Sequence, residues 1–138
     1  MEILVIDGQG GKLGRQLVEA ILKSHPGVTL TAVGTNSLAT ENMMKGGAKR
    51  IATGENAVIV NSRRADVILG PIGIVLADAL LGEISPAMAA AVGQSSAAKI
   101  LIPMNRCETL IAGVGSQSAS ALIADALEKL DALLKEPC

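Results

Sequence analysis

The sequence predicts an α/β fold in which helices cover both faces of a mostly parallel sheet. Residues 2–7 form a short apolar strand pattern that leads into a glycine-rich turn and then directly into a helical pattern. Further apolar, β-branched runs alternate with helical patterns, and the connections between them are short. These observations predict a single Rossmann-like domain over residues 1–138, a three-layer sandwich around a sheet of five or six strands.

The first half of the chain predicts four strands and three helices. Leu13, Leu17 and Ile21 recur at helical spacing after the glycine turn, and the pattern ends near Pro26 and Gly27, which disfavour a helix. The elements that follow are a strand at 28–33, a helix at 37–45, a strand at 48–52, a helix at 55–64 and a buried strand at 65–69. Residues 57–60 also have strand propensity, but their place before the next strand favours a helix.

The second half continues the alternation after a stretch that resembles a linker. That stretch contains Asp78, Gly82 and Glu83, and it ends at Ser85 and Pro86, which suit the N-cap and first position of a helix. We expect a small-residue helix at 87–98, a strand at 99–102, a sixth strand at 109–112 and an amphipathic helix from residue 120. The small-residue helix suits packing across a two-fold axis, which predicts a homo-oligomer.

Composition limits the partners and the location. Trp, Tyr and Phe are absent, which removes the aromatic platforms that stack on single-stranded nucleic acid. The net charge of −1 is too balanced for binding nucleic acid or an anionic membrane, so the expected partner is a small-molecule nucleotide, a phosphorylated ligand or a protein. Two cysteines, no leader pattern and no apolar run of the about 18 residues that a membrane span needs predict a cytoplasmic protein.

The glycine turn is the strongest functional signal in the chain. Glycines at 8, 11 and 14 form a G-x-x-G-x-x-G pattern, and Gly10 adds a G-x-G start. Gly8 suits the tight turn, Gly10 and Gly11 would admit a pyrophosphate close to the backbone, and Gly14 would let the helix approach the strands. The positive end of the helix then favours an anion. The alternative is a tight turn that binds nothing.

The predicted fold places the glycine turn in a crevice with three other segments. In such sheets ligands bind outside the carboxyl ends of the strands, where the strand order reverses. We therefore predict that a nucleotide or other phosphate-bearing ligand contacts Asp7, Gly8, Gln9, Gly10, Gly11, Lys12, Leu13, Gly14, Gly34, Thr35, Asn36, Gly70, Pro71, Ile72, Gly73 and Asn105.

Three charged residues flank the turn in an unusual way. Asp7 stands before the first glycine, where its carboxylate would repel a pyrophosphate unless a proton, a metal ion or a lysine compensates; alternatively it accepts N–H groups from its own turn. Lys12 and Arg15 oppose the dipole at the helix start. Either an anion lies between them and the turn, or both are solvated surface charges.

The residues after the second strand bear on the choice between NAD and NADP. Gly34, Thr35, Asn36 and Ser37 include no acidic residue that could bind the ribose 2′-hydroxyl, so the stretch does not support NAD selectivity. Hydroxyl and amide donors could face a 2′-phosphate, although no arginine stands there. The sequence therefore favours NADP over NAD.

Two resemblances add to this interpretation. The run GQGGKLGRQL at residues 8–17 resembles the opening of dihydrodipicolinate reductases, which implies NAD(P) at the turn; the paired histidines and lysine of that family's catalytic motif have no counterpart, since His25 is the only histidine. Residues 5–11, 34–36, 52–57, 70–74, 82–84 with Pro86, and 105–107 resemble a family of small uncharacterised bacterial proteins, a domain of unknown function. This second resemblance implies no catalytic role.

Other residues carry less specific chemistry. Cys107 follows a strand end and could act as a nucleophile, but only His25 could serve as its base, so an idle thiol is the alternative. Asp7, Asp78 and Glu83 could share a Mg²⁺ ion if their loops converge.

Two functions fit these observations. One is a Rossmann-like protein that binds NAD(P) or another phosphate-bearing ligand at residues 8–14, such as a small oxidoreductase. The other is a non-catalytic regulatory or sensor subunit that binds a phosphorylated metabolite, and the poverty in catalytic side chains favours it slightly. Whether the protein is an enzyme stays open.

Overall fold

The computed structural model describes residues 1–103 and 109–136, in which strands and helices alternate. The elements are β1 Glu2–Asp7, α1 Lys12–Ser24, β2 Thr29–Gly34, α2 Ser37–Lys45, β3 Arg50–Thr53, α3 Glu55–Arg64, β4 Val67–Pro71, a 3-10 turn Ile72–Val75, α4 Pro86–Gln94, β5 Ala98–Ile102 and α5 Ala119–Lys135. The predicted fold class is confirmed, and so is the helix at 55–64, which forms the crossover between β3 and β4.

The sheet has five parallel strands in the order β3-β2-β1-β4-β5. The chain steps outward from β1 to β3 and then returns to lay β4 on the other side of β1. The strand order therefore reverses between β1 and β4, and the carboxyl ends of these strands form the edge where ligands bind in doubly wound sheets. The glycine turn follows β1 at this edge.

Two hydrophobic clusters fill the space between the sheet and the helices. β1 supplies both, because successive side chains of a strand point to opposite faces: Ile3 and Val5 join one cluster, Leu4 and Ile6 the other. α1, α2 and α5 cover the first face, and α3 and α4 cover the second. The buried hydrophobic residues are all aliphatic or Met, as the composition requires.

The structure corrects two of the predicted elements. α4 ends at Gln94 instead of continuing to 98, because Ser95 is extended and the chain enters β5 at Ala98. In the described part of residues 109–112 there is no sixth strand, only an isolated bridge at Thr109; Leu110 is 89% exposed, so a strand there would gain no burial. None of the helices within the described ranges is long and apolar enough to cross a membrane.

Candidate functional site

The glycine turn is built from close approaches between α1, β1 and α2. A Cβ on Gly14 would lie 2.7 Å from the Cβ of Asp7, which confirms that Gly14 lets α1 approach the strand. Gly11 has a φ of 72°, and a Cβ there would lie 2.5 Å from the Cα of Ala39 in α2. A Cβ on Gly10 would meet no atom within 4 Å. Of the two glycines expected to admit a pyrophosphate, only Gly10 therefore faces open space; Gly11 serves the contact with α2.

The side chain of Asp7 stabilises this turn by accepting two backbone hydrogen bonds. Its two carboxylate oxygens accept the backbone N–H groups of Gly8 at 2.8 Å and of Gly14 at 2.7 Å, and the residue is only 5% exposed. Burial raises the pKa of Asp7, the two backbone hydrogen bonds oppose that rise, and the nearby charge of Glu83 adds to it. Two alternatives were predicted for Asp7. The structure shows the second, in which its carboxylate accepts N–H groups from its own turn.

The start of α1 leaves several N–H groups available. Gly11 is the N-cap and supplies no side chain, and the first turn of α1 contains no acidic residue. Among the residues that the structure describes, none accepts a hydrogen bond from the N–H groups of Gly10, Lys12 and Leu13. These groups lie at the positive end of the helix, beside the exposed Lys12. The arrangement can bind an anion through backbone donors.

A second carboxylate, Glu83, reaches the turn from a distant part of the chain. Its Oε1 accepts the N–H of Gln9 at 2.9 Å, the hydroxyl of Thr35 at 2.6 Å and the side-chain amide of Asn36 at 2.7 Å. Desolvation acts to raise the pKa of Glu83, but the three hydrogen bonds, from Thr35, Gln9 and Asn36, outweigh it and hold the pKa below its usual range. Glu83 is therefore an anion at neutral pH that joins the turns after β1 and β2.

The segment at residues 76–84, here called the Glu83 loop, follows the 3-10 turn and is tightly wound. Three of its non-glycine residues, Asp78, Leu80 and Leu81, have positive φ values of 66°, 56° and 56°. The loop is closed by a hydrogen bond from the N–H of Asp78 to the carbonyl of Ile84 at 2.7 Å, and Ile84 is 1% exposed. This backbone geometry presents Glu83 to the glycine turn.

Gly8 is required by the contacts that the Glu83 loop makes. A Cβ on Gly8 would lie 2.5 Å from the hydroxyl of Thr35, 2.9 Å from Cδ1 of Leu80 and 3.0 Å from Oε1 of Glu83. A Cβ on Gly73, in the 3-10 turn, would lie 3.5 Å from Cδ2 of Leu80, an ordinary van der Waals distance. The first glycine of the motif thus accommodates side chains of this protein as well as the tight turn.

The remaining predicted site residues within the described ranges lie at the same edge of the sheet. Asn36 caps α2 by accepting the N–H of Ala39 at 2.9 Å, and it donates to the carbonyl of Gln9 at 2.9 Å. The hydroxyl of Thr35 and the amide of Asn36, which were expected to face a 2′-phosphate, are directed at Glu83 instead. The stretch 70–73 closes β4 and forms the 3-10 turn. Asn105 and Cys107 lie outside the described residues.

The predicted Mg²⁺ site is wrong for the described residues, where no group of three His, Cys, Asp or Glu side chains could hold a metal ion. Both oxygens of Asp7 already accept backbone N–H groups, which leaves little for a metal. Glu83 does approach Asp7, as the convergence of their loops required. The sequence therefore predicted correctly that Glu83 lies near Asp7, but it assigned Glu83 to a metal ion. The residues around Thr35 and Asn36 gave no indication that these two side chains donate to Glu83.

Two cavities in the described structure lie away from the turn. One, of about 280 Å³, is at the amino edge of the sheet and is lined by residues that include Glu2, Arg50 and Arg64. The other, of about 340 Å³, lies between α3 and α4 beside Ala87 and Ala90. Neither cavity is lined by a predicted site residue.

A doubly wound parallel sheet with a glycine turn at its switch point defines this chain as a Rossmann-like α/β protein. It belongs to the family described as domain of unknown function DUF3842, whose profile matches residues 2–135. The chain has no significant match among curated proteins. Among solved structures it is similar to a dodecameric FMN-dependent Ubix-like decarboxylase from Escherichia coli O157:H7, with 16% sequence identity, a TM-score of 0.48 and 95% of each chain covered.

Proposed function

We propose that this protein binds a nucleotide, with the phosphate groups of the ligand at the N-terminus of α1. The observation that carries the proposal is the set of N–H groups of Gly10, Lys12 and Leu13, which lack an acceptor in the described structure and lie at the N-terminus of a helix whose N-cap, Gly11, has no side chain. The switch point of the sheet lies at the same edge, which is where doubly wound proteins bind dinucleotides.

The surroundings of these N–H groups favour a phosphate over water alone. Gly10 is exposed and has open space where a side chain would be, so a bulky anion can approach the backbone. Lys12 is exposed at the first position of α1 and adds a positive charge. Asp7 is turned away beneath the turn, where Gly8 and Gly14 bind its carboxylate. The carboxylate that precedes the glycine motif therefore accepts backbone hydrogen bonds within the protein.

The nucleotide that we propose is NAD(P). Its support is the fold together with the resemblance of residues 8–17 to the cofactor turn of dihydrodipicolinate reductases. The second candidate is a regulatory or sensor subunit that binds a phosphorylated metabolite without chemistry. It is favoured by the use of both carboxylates at the turn, Asp7 and Glu83, for holding backbone and side-chain donors.

A ligand panel tests the proposal directly. NADH, NADPH, ATP and inorganic phosphate are each added to the protein, and the melting temperature is measured. A nucleotide present at 100 times its dissociation constant raises the free energy of unfolding by about 2.7 kcal/mol, which is a readily measured shift. The proposal predicts such a shift for a dinucleotide, and no shift with any of the nucleotides contradicts it.

The Gly10→Val variant locates the binding site. A Cβ there would meet no atom of the protein within 4 Å, so the fold is expected to persist while the branched side chain of valine covers the N–H groups. We expect the dinucleotide shift to disappear. The matched control is Gly27→Val in the turn between α1 and β2, another exposed glycine whose Cβ would meet nothing within 4 Å, and it should leave binding unchanged. Unchanged affinity in Gly10→Val would show that the turn is only structural.

Two predictions from composition and pattern also remain proposals. The exposed side of α4 carries small residues, Ala87, Ala90 and Gly93, which would allow a second copy to pack closely across a two-fold axis. The number of cysteines, two, agrees with a reducing cytoplasm.

A further inference from the structure

We propose that Glu83 binds the hydroxyl groups of the adenosine ribose, so that the site selects a dinucleotide with a free 2′-hydroxyl and rejects one with a 2′-phosphate. This inference rests on the proposed function and reverses the preference for NADP that the sequence favoured. It assigns ligand recognition to a residue of the β4–α4 connection, rather than to the strand end that usually provides it.

The position of Glu83 is the first argument. In dinucleotide-binding α/β folds an acidic residue near the end of the second strand binds the ribose hydroxyls. Here that stretch has only Thr35 and Asn36, but both donate to Oε1 of Glu83, at 2.6 Å and 2.7 Å. The stretch contains no carboxylate of its own. Glu83, 48 residues after Thr35 in the chain, provides one at this position in the fold.

The second argument is the relation between Glu83 and the proposed phosphate site. Oε1 of Glu83 accepts the N–H of Gln9, while the N–H of the next residue, Gly10, is one of the groups that lack an acceptor in the described structure. The carboxylate and the phosphate donors are therefore adjacent on one turn. A ribose and its phosphate are likewise adjacent in a dinucleotide, so one ligand can reach both.

The third argument is that the second oxygen of the Glu83 carboxylate can accept hydrogen bonds from a ligand. All three donors are bound by Oε1, and no described residue donates to Oε2. Glu83 is partly exposed and its Oε2 is not a buried atom, so a ligand can reach this second oxygen. An ionised carboxylate only accepts hydrogen bonds, which suits hydroxyl groups and opposes a phosphate. The same three donors hold the pKa of Glu83 below its usual range and so keep it ionised.

Lys12, the exposed cation at the first position of α1, lies beside the proposed phosphate donors, and the nearest arginine is paired with another residue. Arg15 is the arginine nearest the turn in sequence, and its Nε is 2.8 Å from Oε1 of Glu19 one helical turn away. A 2′-phosphate would bring close to two negative charges against Glu83, and no arginine within residues 1–103 and 109–136 is bound to Glu83 to offset them. A free diol would instead donate to Oε2.

The experiment measures the affinities of the full chain for NADH and NADPH, and for ADP-ribose and its 2′-phosphate, which lack the nicotinamide. We expect the wild-type protein to bind each unphosphorylated ligand at least about tenfold more tightly than its 2′-phosphorylated counterpart, since loss of a hydrogen bond to a charged group costs about ten- to a hundredfold in affinity. Glu83→Gln should weaken NADH by a similar factor and reduce the preference. Glu83→Asp keeps the charge and should keep the preference.

The matched control is Glu55→Gln. Glu55 is the first residue of α3 and accepts the hydroxyl of Ser85 at 2.6 Å, so the substitution removes an exposed, hydrogen-bonded carboxylate without removing a hydrogen bond to the glycine turn. It should leave both affinities unchanged.

The outcomes separate this inference from the proposed function. If none of the four ligands binds, the proposed function fails and this inference fails with it. If they bind and the wild-type protein shows no preference, or prefers the 2′-phosphate, only the role of Glu83 is overturned, whether or not the variants fold. An equal gain in affinity for all four ligands in Glu83→Gln would show that the carboxylate merely obstructs the turn, and would also overturn it.

Discussion

Asp7 and Glu83 are carboxylates on the same glycine turn, but their environments differ. Asp7 is nearly fully buried, and each of its oxygens binds one backbone N–H of its own turn. Glu83 is partly exposed, and one oxygen takes three donors from two different turns. Burial raises the pKa of the first, whereas hydrogen bonding lowers the pKa of the second. The comparison teaches that Asp7 stabilises the turn, while Glu83 connects two turns and keeps an oxygen accessible.

Among the variants that distinguish the two carboxylates, we expect Asp7→Ala to change the free energy of unfolding most. Removal of the carboxylate leaves the N–H groups of Gly8 and Gly14 without acceptors in a buried site, and each unsatisfied group costs about 1–3 kcal/mol. We expect the free energy of unfolding, measured by urea denaturation, to fall by about 2–5 kcal/mol. Asp125→Ala is the control, because Asp125 is an exposed partner of Lys129 and should contribute less than about 1 kcal/mol. Equal losses in both variants would refute the assignment of Asp7.

The pH dependence of stability should have opposite signs for the two groups. The pKa of Asp7 is raised by folding, so its contribution is complete below the unperturbed aspartate pKa of about 3.9 and is lost as the pH rises through its folded pKa. The pKa of Glu83 is lowered by folding, so its contribution is complete above the unperturbed glutamate pKa of about 4.3 and is lost as the pH falls through its folded pKa.

Unfolding free energies of the wild-type protein, Asp7→Asn and Glu83→Gln, measured from acidic to neutral pH, check these signs. The difference between the wild-type protein and Asp7→Asn should shrink as the pH rises, and the difference between the wild-type protein and Glu83→Gln should shrink as it falls. Slopes of the same sign would mean that the two environments are not as distinct as the structure indicates.

The smallest effect is expected in the backbone that positions Glu83. Leu81 is 97% exposed with a φ of 56°, a conformation that leucine adopts only at a cost and asparagine tolerates. Leu81→Asn should raise the free energy of unfolding by about 0.5–1 kcal/mol. Leu38→Asn is the control, since Leu38 is also exposed but lies in α2, where asparagine is the poorer helix former. A gain in the control, or a loss at Leu81, would contradict strain in the loop.

The sequence predicted the turn better than the loop, for a physical reason. The contacts of Asp7 are local, within seven residues of it, and its place directly before the glycines made them one of two alternatives that the sequence offered. The residues that make the contact between Glu83 and Gln9 are 74 positions apart in the chain. Nothing in the sequence indicates that Leu80 and Leu81 have positive φ values. Thr35 and Asn36 were placed correctly at the edge of the sheet, but which acceptor they would meet depended on that distant loop.

The fold was predictable because its signals are repetitive. Apolar strands and amphipathic helices recur in order, and the crossover rule selected a helix for residues 55–64 where propensity alone was divided. The end of α4 was missed because small residues continue past Gln94 without a local stop. A sixth strand was wrongly predicted because the apolar Leu110 resembles a strand residue in sequence, whereas in the structure it is 89% exposed.

The interior packed without a single aromatic ring has a practical consequence for spectroscopy. A chain with no Trp, Tyr or Phe contributes almost nothing to near-ultraviolet absorption and has no intrinsic fluorescence from these side chains. An adenine or nicotinamide ring bound at the turn would then be the dominant chromophore of the complex. Changes in absorption or emission during a titration would report on the bound ligand itself, with little protein signal to subtract.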